Sequence, residues 1–271
     1  MVPGAIRLYA AVTVSTFRRY TAYRAATAAG VFTNIAFGFI VAYAYMALWQ
    51  ERPNLGGYGQ EQALTFVWIS QALAGAMALL GGGFQEEFQE RIRTGEIAID
   101  LSRPADLQLW WLANDMGRAA LQLLSRGIAP LAVGALAFRL ALPQSPLLWL
   151  AFLLSALLGA VVSFALRYLV ALCSFWLLDG AGVTLVSGLL TMFFSGMLLP
   201  LTVFPGALGE TARLLPWAAI LQAPADVLLG RHHGPGLGQA LLLQAAWALV
   251  LLTAGRALQL RATRRTVAQG G

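Results

Sequence analysis

Six stretches of this chain are apolar over the length of a membrane span, and polar segments separate them. They run roughly Val31–Trp49, Ala63–Gly83, Ala119–Leu142, Leu147–Leu166, Ala181–Val203 and Leu237–Gly255. About twenty helical residues rise ~30 Å, the thickness of the bilayer's hydrocarbon core. The pattern therefore predicts an all-α polytopic membrane protein of six transmembrane helices in one domain, residues 1–271. The fourth stretch stays apolar through Tyr168–Leu178 until Asp179-Gly180. It is longer than a bilayer requires, so the helix either projects beyond the membrane or bends near Arg167.

Between the second and third stretches lies a charged island, residues 84–117, with ten of the chain's thirty charged side chains. Phe84, Phe88 and Ile92 recur every four residues, and Glu87 and Arg91 form an i, i+4 pair. That predicts an amphipathic helix continuing span two out of the membrane, closed by Gly95 as a left-handed cap. Ile97, Ile99 and Leu101 alternate with Glu96, Ala98 and Asp100, which predicts an extended segment. Pro104 keeps Arg103 extended, and Ser102 is placed to cap the next helix, with Pro104 and Asp106 in its first turn. Leu107, Trp110, Trp111 and Asn114 then fall on one side, with the tryptophans at headgroup depth.

Residues 204–236 are too apolar for an ordinary exposed loop. Pro205, Pro216, Pro224 and Pro235 cut them into short pieces, Gly206–Leu215, Trp217–Ala223 and Pro224–Gly230. Such pieces cannot span, so they re-enter or lie in one leaflet shielded by protein.

Arginine placement sets the orientation. Arg7, Arg18, Arg19 and Arg24 precede span one; Arg91, Arg93, Arg103 and Arg118 lie in or beside the island; Arg256, Arg261, Arg264 and Arg265 follow span six. Six crossings put these clusters on one side, which the positive-inside rule makes cytoplasmic. Both termini are expected there, in the inner or plasma membrane. Residues 1–29 hold an apolar stretch, Leu8–Phe17, and Ala26-Thr27-Ala28 could pass for a cleavage site. Arg18, Arg19 and Arg24 between them argue instead for an uncleaved interfacial helix.

Composition narrows the chemistry. Charged residues are 11% of the chain and hydrophobic ones 59%, far from a soluble domain's ~25% charged. The one cysteine, Cys173, allows no intrachain disulfide, and His232-His233 stand alone as a surface-loop pair. Every cation is arginine. A phosphate-binding P-loop requires lysine, so any ATP-driven step needs an ATPase on another polypeptide. No Asp or Glu falls inside the six stretches, as ion-coupled carriers generally require. Arg126, inside span three, is close enough to the cytoplasmic face to snorkel. Spans two and five carry the informative polar and small residues, among them Phe66, Ser70 and Gln71, and Phe194, Ser195 and Met197. These serve helix packing, a path, or both.

Gly95-Glu96-Ile97, Asp100-Leu101 and Arg103-Pro104, followed by an apolar helix ending at Gly117, resemble a known loop. It is the one after the second span in permease subunits of type-2 ATP-binding cassette (ABC) exporters, closest to six-span permeases encoded apart from their ATPase. Leu215-Pro216, Ala223-Pro224 and Gly230 likewise resemble that family's re-entrant hairpin. The resemblance implies an elbow helix at residues 1–29, a coupling region at 84–117 and an extracellular re-entrant region at 204–236. It implies docking on the ATPase through Glu96, Asp100, Arg103, Pro104 and Asp106. It also implies a path between two facing permeases, lined by Phe66, Ser70, Gln71, Phe194, Ser195 and Met197. Those residue types suit an amphipathic or apolar substrate such as a drug, lipid or natural product. The expected partners are ABC ATPase subunits, a second permease subunit and the bilayer, with no nucleic acid. No cofactor is expected on this chain, ATP and Mg being bound by the partner ATPase. A lipid-processing membrane enzyme would need clustered acids or histidines, and a scaffold or channel subunit is the other alternative.

Overall fold

The computed structural model describes residues 3–79, 81–177, 180–232 and 234–269, and they are helical with no strand among them. Leu80, Leu178, Asp179, His233 and the side chain of Arg265, which figure in the sequence pattern, lie outside the described residues. Helix α1 is Pro3–Thr21, α2 Arg24–Glu51, α3 Gln60–Ala76, α4 Gln85–Arg93, α5 Ile97–Leu101 and α6 Leu107–Gln122. A π-helical turn, Leu123–Gly127, joins α6 to α7, Ile128–Ala137. Then come α8 (Pro146–Leu172), α9 (Ala181–Phe194), α10 (Gly206–Leu214), α11 (Gln222–Leu228) and α12 (Pro235–Gln269). By length and apolarity four helical runs can cross a membrane: α2, α6–α7, α8 with its closing turn, and α12. The chain is a membrane-embedded, multi-pass protein.

Spans two and five are shorter than their apolar runs, for backbone reasons. Helix α3 ends at Ala76; Ala78 is left-handed at φ 50°, and Gly81, Gly82 and Gly83 follow at φ 93°, 81° and 88°. A left-handed residue with a Cβ costs roughly 1–2 kcal/mol, so the glycines mark where the run breaks. Helix α4 is therefore separate and does not continue span two. The run predicted as Ala181–Val203 stops at Phe194, because the Ser195 carbonyl accepts from the Gln222 backbone N–H at 2.9 Å and Gly196 turns to φ 90°. Conversely, α8 passes through Arg167 unbroken to Leu172. The expected interfacial helix also divides: α1 ends at Thr21, and residues 24–29 already belong to the α2 span.

Glycine and alanine let the spans approach closely. Trp68 is fully buried between α2 and α7, where a Cβ on Gly38 or Gly134 would collide with its ring. Helix α1 lies along α6: the Thr13 hydroxyl donates to the Ala113 carbonyl at 3.0 Å and Thr16 to Asn114 at 3.1 Å. Gly117 leaves room there for the Thr13 carbonyl.

The acid-free reading of the spans needs correction. Span three starts at Leu107 as α6, well before Ala119, so Asp115 sits inside a membrane-length helix and is almost wholly buried. Arg118 Nε donates to it at 2.8 Å and Arg167 Nη2 at 2.5 Å. Arg118 also donates to the carbonyls of Gly75 and Ala76, at 2.8 and 2.9 Å, and Ser163 to that of Met77 at 2.6 Å. These carbonyls lie at the end of α3, where intrahelical donors run out, although that of Gly75 also accepts from the Ala78 N–H at 3.2 Å. The cluster thus ties the ends of α3, α6 and α8 together.

Candidate functional site

The charged island folds in a way that its two-residue alternation concealed. Residues 97–101 form the short helix α5 rather than an extended segment. On a helix, Ile97 and Leu101 share a face while Ile99 points away, and the structure buries Ile97 and leaves Ile99 59% exposed. The amphipathic face of α4 is as expected. Phe84 and Phe88 are buried against Trp111, Phe164 and Tyr168, with ring centroids 4.8–6.3 Å apart. Trp111 is therefore core rather than headgroup-facing. Gly95, at φ 81°, closes α4 as predicted.

Each proposed coupling residue has a definite place. Asp100 is buried, its side chain 2% exposed, and is gripped at 2.6 and 3.0 Å by Arg91 Nε and Nη2. Arg103 adds a third contact at 3.1 Å. Arg91 also reaches Glu96 at 3.4 Å, so it serves the α4–α5 joint rather than the expected pair with Glu87. Its hydrogen bond to Asp100 holds the Arg91 guanidinium above its ordinary range. Glu96 and Pro104 are exposed, and Arg103 is 40% exposed with its guanidinium 5.0 Å from the Trp110 ring centroid. Asp106, not Ser102, caps α6, accepting from the Leu109 N–H at 2.9 Å. Its own N–H donates to the Tyr9 hydroxyl at 3.0 Å and its carboxylate pairs with Arg256. Asp106 thus joins α1, α6 and α12. The outward surface of the island is Glu96, Ile99, Arg103 and Pro104, with Asp100 and Asp106 as internal braces.

The proposed path residues are only partly brought together. Phe66 and Ser195 are buried beside Gly196, whose missing Cβ leaves 3.3 Å to the Phe66 ring. Ser70 is buried too, its hydroxyl donating back to the Phe66 carbonyl at 2.7 Å. Gln71 is half-buried and its carbonyl accepts from Asn34 Nδ2 at 3.1 Å. Phe194 and Met197 are half-buried, with Phe194 6.1 Å from the Trp217 ring. Gln71, Phe194 and Met197 are therefore partly open at the subunit surface, whereas Phe66, Ser70 and Ser195 are buried within it. Phe194→Ala or Gln71→Leu is expected to change substrate-stimulated ATP hydrolysis of the assembled transporter about threefold or more, with normal assembly. Wild-type stimulation and transport in bulky variants at both positions would place the path elsewhere.

Arg126, on the π turn, packs against Gly30 and donates to Asn34 Oδ1 at 3.4 Å, which gives it a packing role between α2 and α6–α7.

Sequence reasoning missed a polar hub at the end of the bundle opposite the island. The Tyr58 hydroxyl donates to Asp226. Gln222 Nε2 donates to both, at 2.8 and 2.9 Å, and Gln222 Oε1 accepts from the Leu201 N–H at 2.9 Å. Arg231 completes the hub 3.6 Å from Asp226, with its guanidinium 3.9 Å from the Tyr58 ring centroid. Burial first, and then the Asp226 carboxylate, push the Tyr58 phenol far above its usual range, so it remains a donor. The hub fixes the short helices after span five against the turn after span one. The only hint in the sequence was a Gln and an Asp four residues apart on one helix.

Residues 32–270 match the family model described as ABC-2 family transporter protein. A search of curated proteins gave no match. The chain belongs to the ABC-2 transporter family and is a permease subunit of that type.

Proposed function

We propose that this permease works in an ATP-driven exporter of amphipathic or apolar substrates, paired with a second permease subunit and two ABC ATPase subunits. ABC-2 membrane subunits generally work with ATPase partners, and ATP and Mg would be bound there. The observation that carries this reading is the island's construction. Asp100, clamped by Arg91 and Arg103, makes α4 and α5 one stiff block that displays Ile99, Arg103 and Pro104. A solvated linker has no use for a buried, triply contacted carboxylate. Closure of the ATPases on ATP would press on this block, and α4, packed on α8 through Phe84 and Phe88, would pass the movement into the spans. Different contacts in the two nucleotide states must supply the bias, since equal affinity shifts no equilibrium.

The orientation follows the arginines: both termini and the island cytoplasmic, the Tyr58–Asp226 hub outside. With Cys173 changed to Ser, cysteines at Glu51 and Thr211 are expected to react with a membrane-impermeant maleimide in intact cells. A cysteine at Arg261 is expected to react only after permeabilisation. Protection of Thr211→Cys in intact cells, with labelling after lysis, would overturn the topology.

A further inference from the structure

A cleft of about 300 Å³ opens between α8, α9 and the turn after α3. Its polar lining is Arg167, Gln85, Ser163, Thr184, Ser187 and Thr191. Its remaining walls include Leu166, Leu185, Leu189 and Met192. Helix α9 buries none of its residues within the subunit, so the apolar side of the cleft is open at the subunit surface. Arg167 lies 21 residues beyond Pro146 on α8, roughly 30 Å along the helix, which puts it near headgroup depth at the arginine-rich end.

Among the described residues the charges there do not balance. The buried cluster holds two cations, Arg118 and Arg167, against one carboxylate, Asp115. Arg118 is satisfied by Asp115 and by the carbonyls that end α3. Arg167 bonds Asp115 and Ser163, while its Nη1 is buried without a hydrogen-bond partner. A desolvated guanidinium with an unused donor is costly unless an anion completes it, and guanidinium geometry suits carboxylate and phosphate. Thr184 and Gln85, already hydrogen-bonded to each other at 3.1 Å, stand on the same cleft as further polar groups.

We propose that this cleft takes the head of a singly headed anionic amphiphile, carboxylate or phosphate, from the leaflet at the arginine-rich end. The head sits at Arg167 and the tail runs along α9. This rests on the reading of the chain as a permease and narrows its substrate class. Binding to the permease alone, without ATP, separates the two: loss of binding overturns the cleft, and failure to co-purify an ATPase overturns the proposed ATP-driven pairing.

The test uses the full-length chain in neutral detergent, with dodecyl phosphate as probe and dodecanol as the uncharged control, both followed by native mass spectrometry. Wild type is expected to hold dodecyl phosphate about tenfold or more tighter than dodecanol. Arg167→Gln, which leaves Asp115 paired with Arg118, is expected to abolish that preference. Gly188→Leu leaves Arg167 intact and adds bulk where no heavy atom lies within 4 Å of a built Cβ; it is expected to weaken both probes. Equal affinities in wild type, or an unchanged preference in Arg167→Gln, would overturn the proposal. In nanodiscs, displacement of dodecyl phosphate by phosphatidylglycerol but not phosphatidylcholine identifies a resident membrane lipid as the anion. Retention against both identifies a transported amphiphile.

Discussion

Asp115→Leu is expected to cost about 3–5 kcal/mol of stability, because it strands two buried guanidinium groups that share one carboxylate. Arg118 would keep the Gly75 and Ala76 carbonyls, but Arg167 would keep one hydrogen bond, to Ser163, and the face of the Phe84 ring. The ends of α3, α6 and α8 meet at this point, so the loss should appear as separation of these helices from the bundle. Adding Arg167→Met should recover part of the loss, since it removes one of the two stranded guanidinium groups while Arg118 keeps only its carbonyl bonds. Unfolding in mixed micelles, read as a double-mutant cycle, measures this directly. A single-variant loss under about 1 kcal/mol would mean that the cluster is hydrated and carries little of the fold.

The apolar runs made the all-helical, multi-pass membrane class legible, because span length is set by the bilayer and not by the rest of the protein; four of the six runs became helices long enough to cross. Where the helices stop was less legible. Gly81-Gly82-Gly83 and Gly196 lie within or beside runs that stay apolar, and only their left-handed backbone shows the break. Alternation misled at residues 97–101, since five residues are too few to separate a two-residue period from a helical turn. The decisive fact was the tertiary grip of Arg91 on Asp100. The short pieces were legible at Gly206 and Pro216, because proline acts locally, whereas α11 starts at Gln222 and takes Pro224 into its first turn instead of breaking there. Both buried polar clusters were hidden because they join residues far apart in sequence, Asp115 with Arg167 and Tyr58 with Asp226. Of the proposed coupling residues, position relative to Gly95 and Pro104 located the region. Only the fold separates the exposed Arg103 and Pro104 from Asp100 and Asp106, which face inward.

Arg103→Ala with Pro104→Gly is expected to leave the protein inserted and folded while reducing transport to background. Folding should survive because Asp100 keeps both contacts from Arg91, and Asp106 still caps α6. What disappears is the exposed part of the island: a cation stacked over Trp110 and the proline that restricts the chain between α5 and α6. If Arg103 meets a carboxylate of the ATPase in a desolvated contact, its truncation costs about 2–5 kcal/mol of binding, a thirtyfold or greater loss of affinity. Arg103→Lys keeps the charge but not the planar fork that lies over the indole, so it should fall between wild type and the double variant. Arg91→Gln acts differently, loosening the grip on buried Asp100 and so disordering α5 without removing the exposed cation. The measurements are co-purification of the ATPase and substrate-stimulated hydrolysis in reconstituted vesicles. In the double variant the ATPase should either dissociate or hydrolyse ATP without responding to substrate. Wild-type values for both in a correctly inserted double variant would show that the island is a linker, and would move the coupling contact to another part of the arginine-rich end.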